Sequence, residues 1–360
     1  MECDPLTLVI SNTVAAILEK SSNPLIVSEI ELPADLLNGQ VLVEVITSGL
    51  CGAQINEIEA VKGPDKFLPH LLGHEGFANV LQIGPGVTNV APGDQVVMHW
   101  RPGIGIQSLP PVYKYKGVPL NAGWVTTFNN HAIVSENRIT KISSANHDKN
   151  IIPLLGCALT TALGVLKNDA QIIPSDSLLI FGIGGVGLLL IKIAKILGIK
   201  SITVVDIYKE KLDKAIELGA SKAILFTDKN QTNHSLLEYF GSKFPTVVIE
   251  TTGNTLAIEI CYEISASNAK VILVGVPKHG KKASIYTLPL HFGKILKGSE
   301  GGHSKPEKDI PYLLKLIETN TLYLNDYPTQ SFSINKINDA ISQLKSGVVG
   351  RMIIDFTKSS

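Results

Sequence analysis

The sequence predicts an α/β protein: a doubly wound parallel sheet inserted between two parts of a β-rich domain. Three observations carry that reading. From about Ile151 onwards, short aliphatic runs alternate with stretches of helical length and spacing. The first 100 residues instead read as strands punctuated by Gly, Asn and Pro. A strand-like run at residues 349–356 closes the chain.

In order, residues 13–18 and 41–47 are rich in β-branched and aliphatic side chains and are predicted strands. Gly84-Pro85-Gly86 and Pro92-Gly93-Asp94 predict two tight turns around a short strand. Residues 101–120 are dense in Pro and Gly and predict a loop with little regular structure. Ser177–Phe181 is a short buried strand, 187–197 a helix, Ser201–Asp206 a strand and 209–218 a helix. Residues 246–250 and 270–274 continue the alternation, and 305–317 form a further helix. Strands alternating with helices in this way build a parallel sheet covered on both faces.

The chain has 360 residues, which suggests two domains at roughly 150 residues each. With 44% hydrophobic and 18% charged residues it is not disordered, collagenous or a coiled coil. Thirty-two basic residues balance thirty-two acidic ones, so no global field favours nucleic acid or an anionic membrane surface. The apolar run at residues 178–191 is 14 residues long and holds four glycines, short of the ~20 a membrane span needs. The amino terminus, Met1-Glu2-Cys3-Asp4-Pro5, has no basic segment followed by an apolar one, so no secretory signal is expected. Cys3, Cys51, Cys157 and Cys261 fit no disulfide framework; reduced thiols or metal ligands in the cytosol are expected. No internal repeat or low-complexity tract is present.

Gly182, Gly184 and Gly187 fit G-x-G-x-x-G, and the context makes the match specific. A strand precedes it, Gly185 lies inside it, a helix opens at Val186, and Asp206 follows Gly187 by nineteen residues at the end of the next strand. This is a Rossmann-type dinucleotide fingerprint. Gly182 permits the tight turn, Gly184 lets the backbone approach a pyrophosphate, and Gly187 allows close helix–strand packing. Asp206 would accept hydrogen bonds from the adenosine ribose and repel a 2′-phosphate, which favours NAD over NADP.

A second constellation is Cys51, His74 with its neighbour Glu75, and Cys157. One imidazole, two thiolates and a carboxylate suit Zn²⁺, and three protein ligands leave a fourth position open for a water or substrate oxygen. There is no C-x-x-C, so on spacing alone the plainer reading is two small buried cysteines and one surface histidine.

Taken together these segments resemble the zinc-dependent alcohol dehydrogenases of the medium-chain dehydrogenase/reductase superfamily. The matching segments include Cys51-Gly52, Gly73-His74-Glu75, Gly84-Pro85-Gly86-Val87, Pro92-Gly93-Asp94-Gln95-Val96 and Gly156-Cys157-Ala158-Leu159-Thr160-Thr161. Further on they include Gly182 to Gly187, Asp206, Glu217-Leu218-Gly219-Ala220, Thr252-Gly253, Val274-Gly275-Val276, Lys297-Gly298-Ser299 and Gly350-Arg351. The resemblance implies a GroES-like catalytic domain at residues 1–158 plus 299–360 and an NAD-binding domain at 159–298. It implies that Cys51, His74 and Cys157 bind one catalytic zinc, with Glu75 able to approach the metal during ligand exchange. Thr161 would lie against the nicotinamide, with Val274 and Val276 also in the cofactor site. Lys211 would contact the adenosine ribose, and Arg351 would reach the pyrophosphate.

Two departures stand out. Ala53 occupies the position of the family's usual Ser or Thr proton relay, and Gln54 that of an Asp beside the metal site. The proton routes left are water, Glu75 or a substrate hydroxyl; Asn56 cannot titrate. Residues 95–125 hold no cysteine, so no structural zinc is expected. The implied activity is NAD-dependent hydride transfer between an alcohol (a secondary alcohol, polyol or sugar derivative) and its ketone or aldehyde, in a cytoplasmic homodimer or homotetramer. His99, Asn121, Asn129 and His131, with Trp100 and Trp124, stand near the expected substrate cleft; ordinary loop and core roles are the plainer reading for them. Alternatives are a zinc-free quinone or enone reductase of the same fold and a non-catalytic NAD-binding protein.

Overall fold

The computed structural model describes residues 8, 10–143 and 147–358; Cys3 and the amino-terminal pentapeptide lie outside them. Strand Gln40–Leu50 organises a seven-stranded sheet. One of its edges pairs with Glu75–Ile83. The other pairs first with His131–Ser135 and then, through Ile353 opposite Gly49, with Arg351–Asp355. The end of the chain thus returns to the sheet that the first part began. A five-stranded sheet holds Asn12–Leu18, Ile26–Glu31, His70–Leu71, Tyr113–Tyr115 and Val118–Leu120. Ile17, Ile30 and Tyr113 from it pack against Leu42 and Ile133 of the larger sheet.

Between these parts lies a six-stranded sheet whose pairings are all parallel. Its order across the sheet is Lys222–Leu225, Ser201–Asp206, Ser177–Phe181, Val247–Glu250, Lys270–Leu273 and Ile295–Gly298. Alternate residues of the central strands face opposite ways. Leu178, Ile180, Ile202 and Val204 join one apolar cluster with Leu188 and Ile191 of the helix Gly185–Ile196. Leu179, Phe181, Val205 and Val248 join another with Leu236 and Ile260 of the helices Lys229–Phe240 and Thr255–Glu263. Both faces are covered, so these strands read as unbroken apolar runs. The expected class is the one observed: a Rossmann-like sheet inserted in a β-rich domain.

Two local expectations are corrected. No strand forms between the turns at Gly84-Pro85-Gly86 and Pro92-Gly93-Asp94, because the Thr88 and Asn89 amides are taken by the Glu136 carboxylate rather than by a neighbouring strand. Residues 101–120 are not all loop: Tyr113–Tyr115 and Val118–Leu120 form a hairpin. Its two-residue turn, Lys116 (φ 52°) and Gly117 (φ 76°), has the left-handed geometry that suits strand twist, and Lys is an unusual first residue for it. No helix among the described residues is long and apolar enough to cross a membrane.

Candidate metal and dinucleotide site

Three separated segments bring Cys51, His74 and Cys157 together. Cys51 follows strand Gln40–Leu50 and caps the helix Gly52–Ile58. His74 precedes strand Glu75–Ile83, which pairs with Gln40–Leu50. Cys157 caps the helix Ala158–Gly164. Gly156 makes the last approach possible: a Cβ there would lie 2.1 Å from the Met98 carbonyl oxygen and 3.0 Å from Glu75 Cα. The ligand atoms of the three residues lie within 4.8 Å of one another, close enough to share one ion.

The donor set suits zinc. Both sulfurs are buried, and His74 Nε2 is buried with no hydrogen-bond partner. The hydrogen bond from Cys157, reinforced by the Arg351 charge and by His74, holds the Cys51 thiol well below its ordinary pKa despite burial. The same hydrogen bond, together with burial, raises Cys157. The two thiols thus titrate as a pair, and binding of a cation to both sulfurs releases their protons. Burial pulls the His74 imidazole down, but the Cys51 thiolate outweighs it and the net shift is upward. Gln54 spans the site. Its Oε1 accepts from the Cys51 N–H at 2.9 Å, and its Nε2 is hydrogen-bonded to His74 Nδ1.

Glu75 does not join the three ligands. Its carboxylate lies 3.1 Å from Arg351 Nη2 and accepts from the Ala158 N–H at 3.2 Å. Burial raises the Glu75 pKa and the Arg351 charge opposes that rise. Arg351 is 3% exposed. Burial opposes its charge, and Cys51 and Glu75 more than compensate, so its pKa rises. A Cβ placed on Gly185 would sit 3.4 Å from Arg351 Nη1, so one guanidinium touches both Glu75 and the fingerprint.

A cavity of about 320 Å³ opens at the fingerprint, lined among others by Gly182, Gly184, Asp206, Lys211 and Thr252. Gly182 has φ +90°, and a Cβ on Gly187 would meet the Gly182 carbonyl oxygen at 2.2 Å, which is the close helix–strand contact expected. Gly184 faces open space and caps the helix without a side chain, leaving its first amides free to meet an anion. Asp206 Oδ2 accepts from Ile183 N–H at 2.6 Å and Oδ1 from Tyr208 N–H at 3.0 Å, so the carboxylate also fixes the turn. Lys211 Nζ lies 4.6 Å from the Tyr208 ring centre. Val186 is half-buried against the core.

Val274 and Val276 line a second cavity of about 430 Å³ with Ser299 and His303. Thr161 is buried in the helix Ala158–Gly164, four residues beyond Cys157. The sequence carried no signal for Asp169, which gathers the segment beside that second cavity. It accepts from Lys297 Nζ at 2.7 Å and Ser299 Oγ at 2.6 Å, and pairs with His303 Nδ1 at 2.8 Å. The residues named near the cleft are scaffold. His99 bonds Arg101 O at 2.7 Å and Thr140 Oγ1 at 2.9 Å. Asn129 donates to His131 O at 2.6 Å, and Asn121 to Phe67 O at 2.8 Å. Trp124 stacks on Arg138 and Trp100 on Arg101.

Comparison with known proteins agrees with this geometry. Residues 37–144 match the profile described as an alcohol dehydrogenase GroES-like domain, and residues 185–319 that of a zinc-binding dehydrogenase. The chain is 27% identical to an S-(hydroxymethyl)glutathione dehydrogenase of Escherichia coli O157:H7, over 95% of this chain and 99% of that one. Its fold matches benzyl alcohol dehydrogenase from Acinetobacter calcoaceticus with a TM-score of 0.84 at 23% identity, covering 96% and 99% of the two chains. It also matches an alcohol dehydrogenase of Escherichia coli CFT073 complexed with NADH, with a TM-score of 0.77 at 20% identity, covering 96% and 100%. An oxidoreductase with its three soft ligands gathered at one point and a dinucleotide fingerprint beside them, the chain belongs to the zinc-dependent alcohol dehydrogenase family of the medium-chain dehydrogenase/reductase superfamily.

Proposed function

We propose that the protein interconverts an alcohol and its ketone or aldehyde, with one zinc held by Cys51, His74 and Cys157 and with NAD as hydride carrier. The substrate class that fits best is a secondary alcohol, polyol or sugar derivative. Residues 1–158 with 299–360 form the catalytic unit in this reading, and 159–298 the NAD-binding unit. The observation that carries it is the convergence of the three ligand atoms within 4.8 Å. A zinc-free reductase has no use for such a cluster.

Zinc bound there supplies the Lewis acidity that lowers the pKa of an alcohol hydroxyl. NAD supplies the hydride acceptor, and the protein supplies placement. Gln54 holds the His74 ring in place. Arg351 pairs with the buried Glu75, opposing the rise in its pKa, and leaves Nη1, beside Gly185, and an unpaired Nε as donors for a pyrophosphate. Asp206 and Lys211 would hold the adenosine ribose, while Thr161, Val274 and Val276 would flank the nicotinamide. Ala53 is exposed and carries no relay group, so the alcohol proton passes to water.

A second copy of the chain completes the proposal. Ile295–Gly298 is the edge strand of the parallel sheet, and Tyr286 and Phe292 beside it are 70% and 72% exposed. An uncovered apolar strand edge pairs readily with its own copy. The direct test is metal content and NADH formation across a panel of alcohols and polyols. Cys51→Ser should lower zinc content and activity together. Full activity in a verified zinc-free preparation removes the metal from the reaction.

A further inference from the structure

We propose that Gln54 weakens this chain's hold on its metal, by favouring the imidazole tautomer of His74 that cannot ligate. The inference rests on the metal reading above. Gln54 is 0% exposed and is the third residue of the helix Gly52–Ile58. Its carboxamide has one acceptor end and one donor end. The Cys51 N–H is a fixed backbone donor and takes the acceptor, Oε1, at 2.9 Å. The donor end, Nε2, is left facing His74 Nδ1.

Nδ1 answers an N–H donor only when it carries no proton itself. In a neutral imidazole the proton then sits on Nε2, the nitrogen left to the two sulfurs. A metal ligand needs a free lone pair on Nε2, which places the ring proton on Nδ1, with N–H against N–H. Turning the amide over relieves His74 and moves the conflict to Cys51, whose N–H then meets the NH₂ group. Among the described residues no other acceptor reaches either N–H. Every state with a proton on Nδ1 therefore leaves one buried hydrogen bond unmade.

A carboxylate has no donor end. Gln54→Glu keeps the length and shape of the side chain, and Glu suits the third helical position as well as Gln does, since it also reaches back to the capping N–H. One oxygen would serve Cys51 and the other His74. Gln54 is in this sense a positioning residue, set against the ligating form of the ring.

The test uses the full-length protein. Zinc-loaded wild type and Gln54→Glu are competed against a graded chelator, and the variant should retain zinc roughly ten- to a hundredfold more tightly. Because an added negative charge alone also attracts a cation, the ring is read directly: ¹⁵N NMR of the metal-free wild type should place the His74 proton on Nε2. Equal or weaker zinc retention by Gln54→Glu overturns the proposal, and so does a proton on Nδ1 in the metal-free wild type. A wild type that takes up neither zinc nor cobalt instead overturns the metal reading on which the proposal stands.

Discussion

His99 shows how far one buried residue can set a response to pH. It is 1% exposed, and burial pushes its imidazole down to about 4. The unfolded chain binds a proton there near pH 6.5 that the folded chain refuses. The contribution of neutral His99 is thus whole above about pH 6.5 and is lost as pH falls towards 4, on the order of 3 kcal/mol in all. Thermal unfolding from pH 7 to 4 should show a steeper loss in wild type than in His99→Gln, which does not titrate. At the cofactor end, Asp206→Ala removes a carboxylate that both lines the cavity and fixes the turn. Charged hydrogen bonds of this kind contribute about 1.5–3 kcal/mol, so KM for NAD should rise about ten- to a hundredfold. The grouping of the site residues was unevenly legible in the sequence. The fingerprint glycines and Asp206 were, because strand, turn, helix and acid follow one another within one local unit. Cys51, His74 and Cys157 were legible only through resemblance, because the sheet register and the close approach at Gly156 bring distant segments together. Gln54 showed as a departure alone, since its two bonds reach a backbone amide and a distant ring.

Among the elements, the loop at residues 101–112 illustrates order without regular structure. Glu136 accepts from Thr88 N–H at 2.7 Å, Asn89 N–H at 2.9 Å and Ile106 N–H at 2.8 Å. Arg138 reaches Gln107 at 2.9 Å. The cysteine-free segment from residue 95 to 125 is tied to the β-rich sheet by these side chains. Gln at position 136 retains a single carbonyl oxygen, so Glu136→Gln should lower stability by about 1–3 kcal/mol in denaturant titration, and Glu136→Ala by more. The same bonds explain the strand wrongly expected between the two turns: the pattern of turn residues was legible, but the amides between them are claimed by a carboxylate far along the chain. In the parallel unit the opposite holds. Its four central strands and its first two helices were legible, because covered sheets are written in continuous apolar runs, whereas the edge strands Lys222–Leu225 and Ile295–Gly298 and the helices Lys229–Phe240 and Thr255–Glu263 were not.

At the level of the whole molecule, the edge at Ile295–Gly298 with Tyr286 and Phe292 is the face on which self-association is proposed. Phe292→Glu should shift the protein towards monomer in sedimentation velocity while leaving its secondary structure unchanged; an unaltered mass would place any assembly elsewhere. The insertion itself was legible from the order of patterns: β-rich, then alternating, then a lone closing strand.

That closing strand bears on how the protein is made. Arg351–Asp355 supplies both a partner for Gln40–Leu50 and the guanidinium that neutralises Glu75. About 200 residues separate Cys157 from the end of that strand. At the pace of a ribosome this is roughly 10–40 s of synthesis. Within that interval the nucleotide-binding sheet is completed at Gly298, while the thiols still wait beside an acid whose counter-charge has yet to emerge. The pocket for the metal is therefore the last part of the nascent chain to come of age.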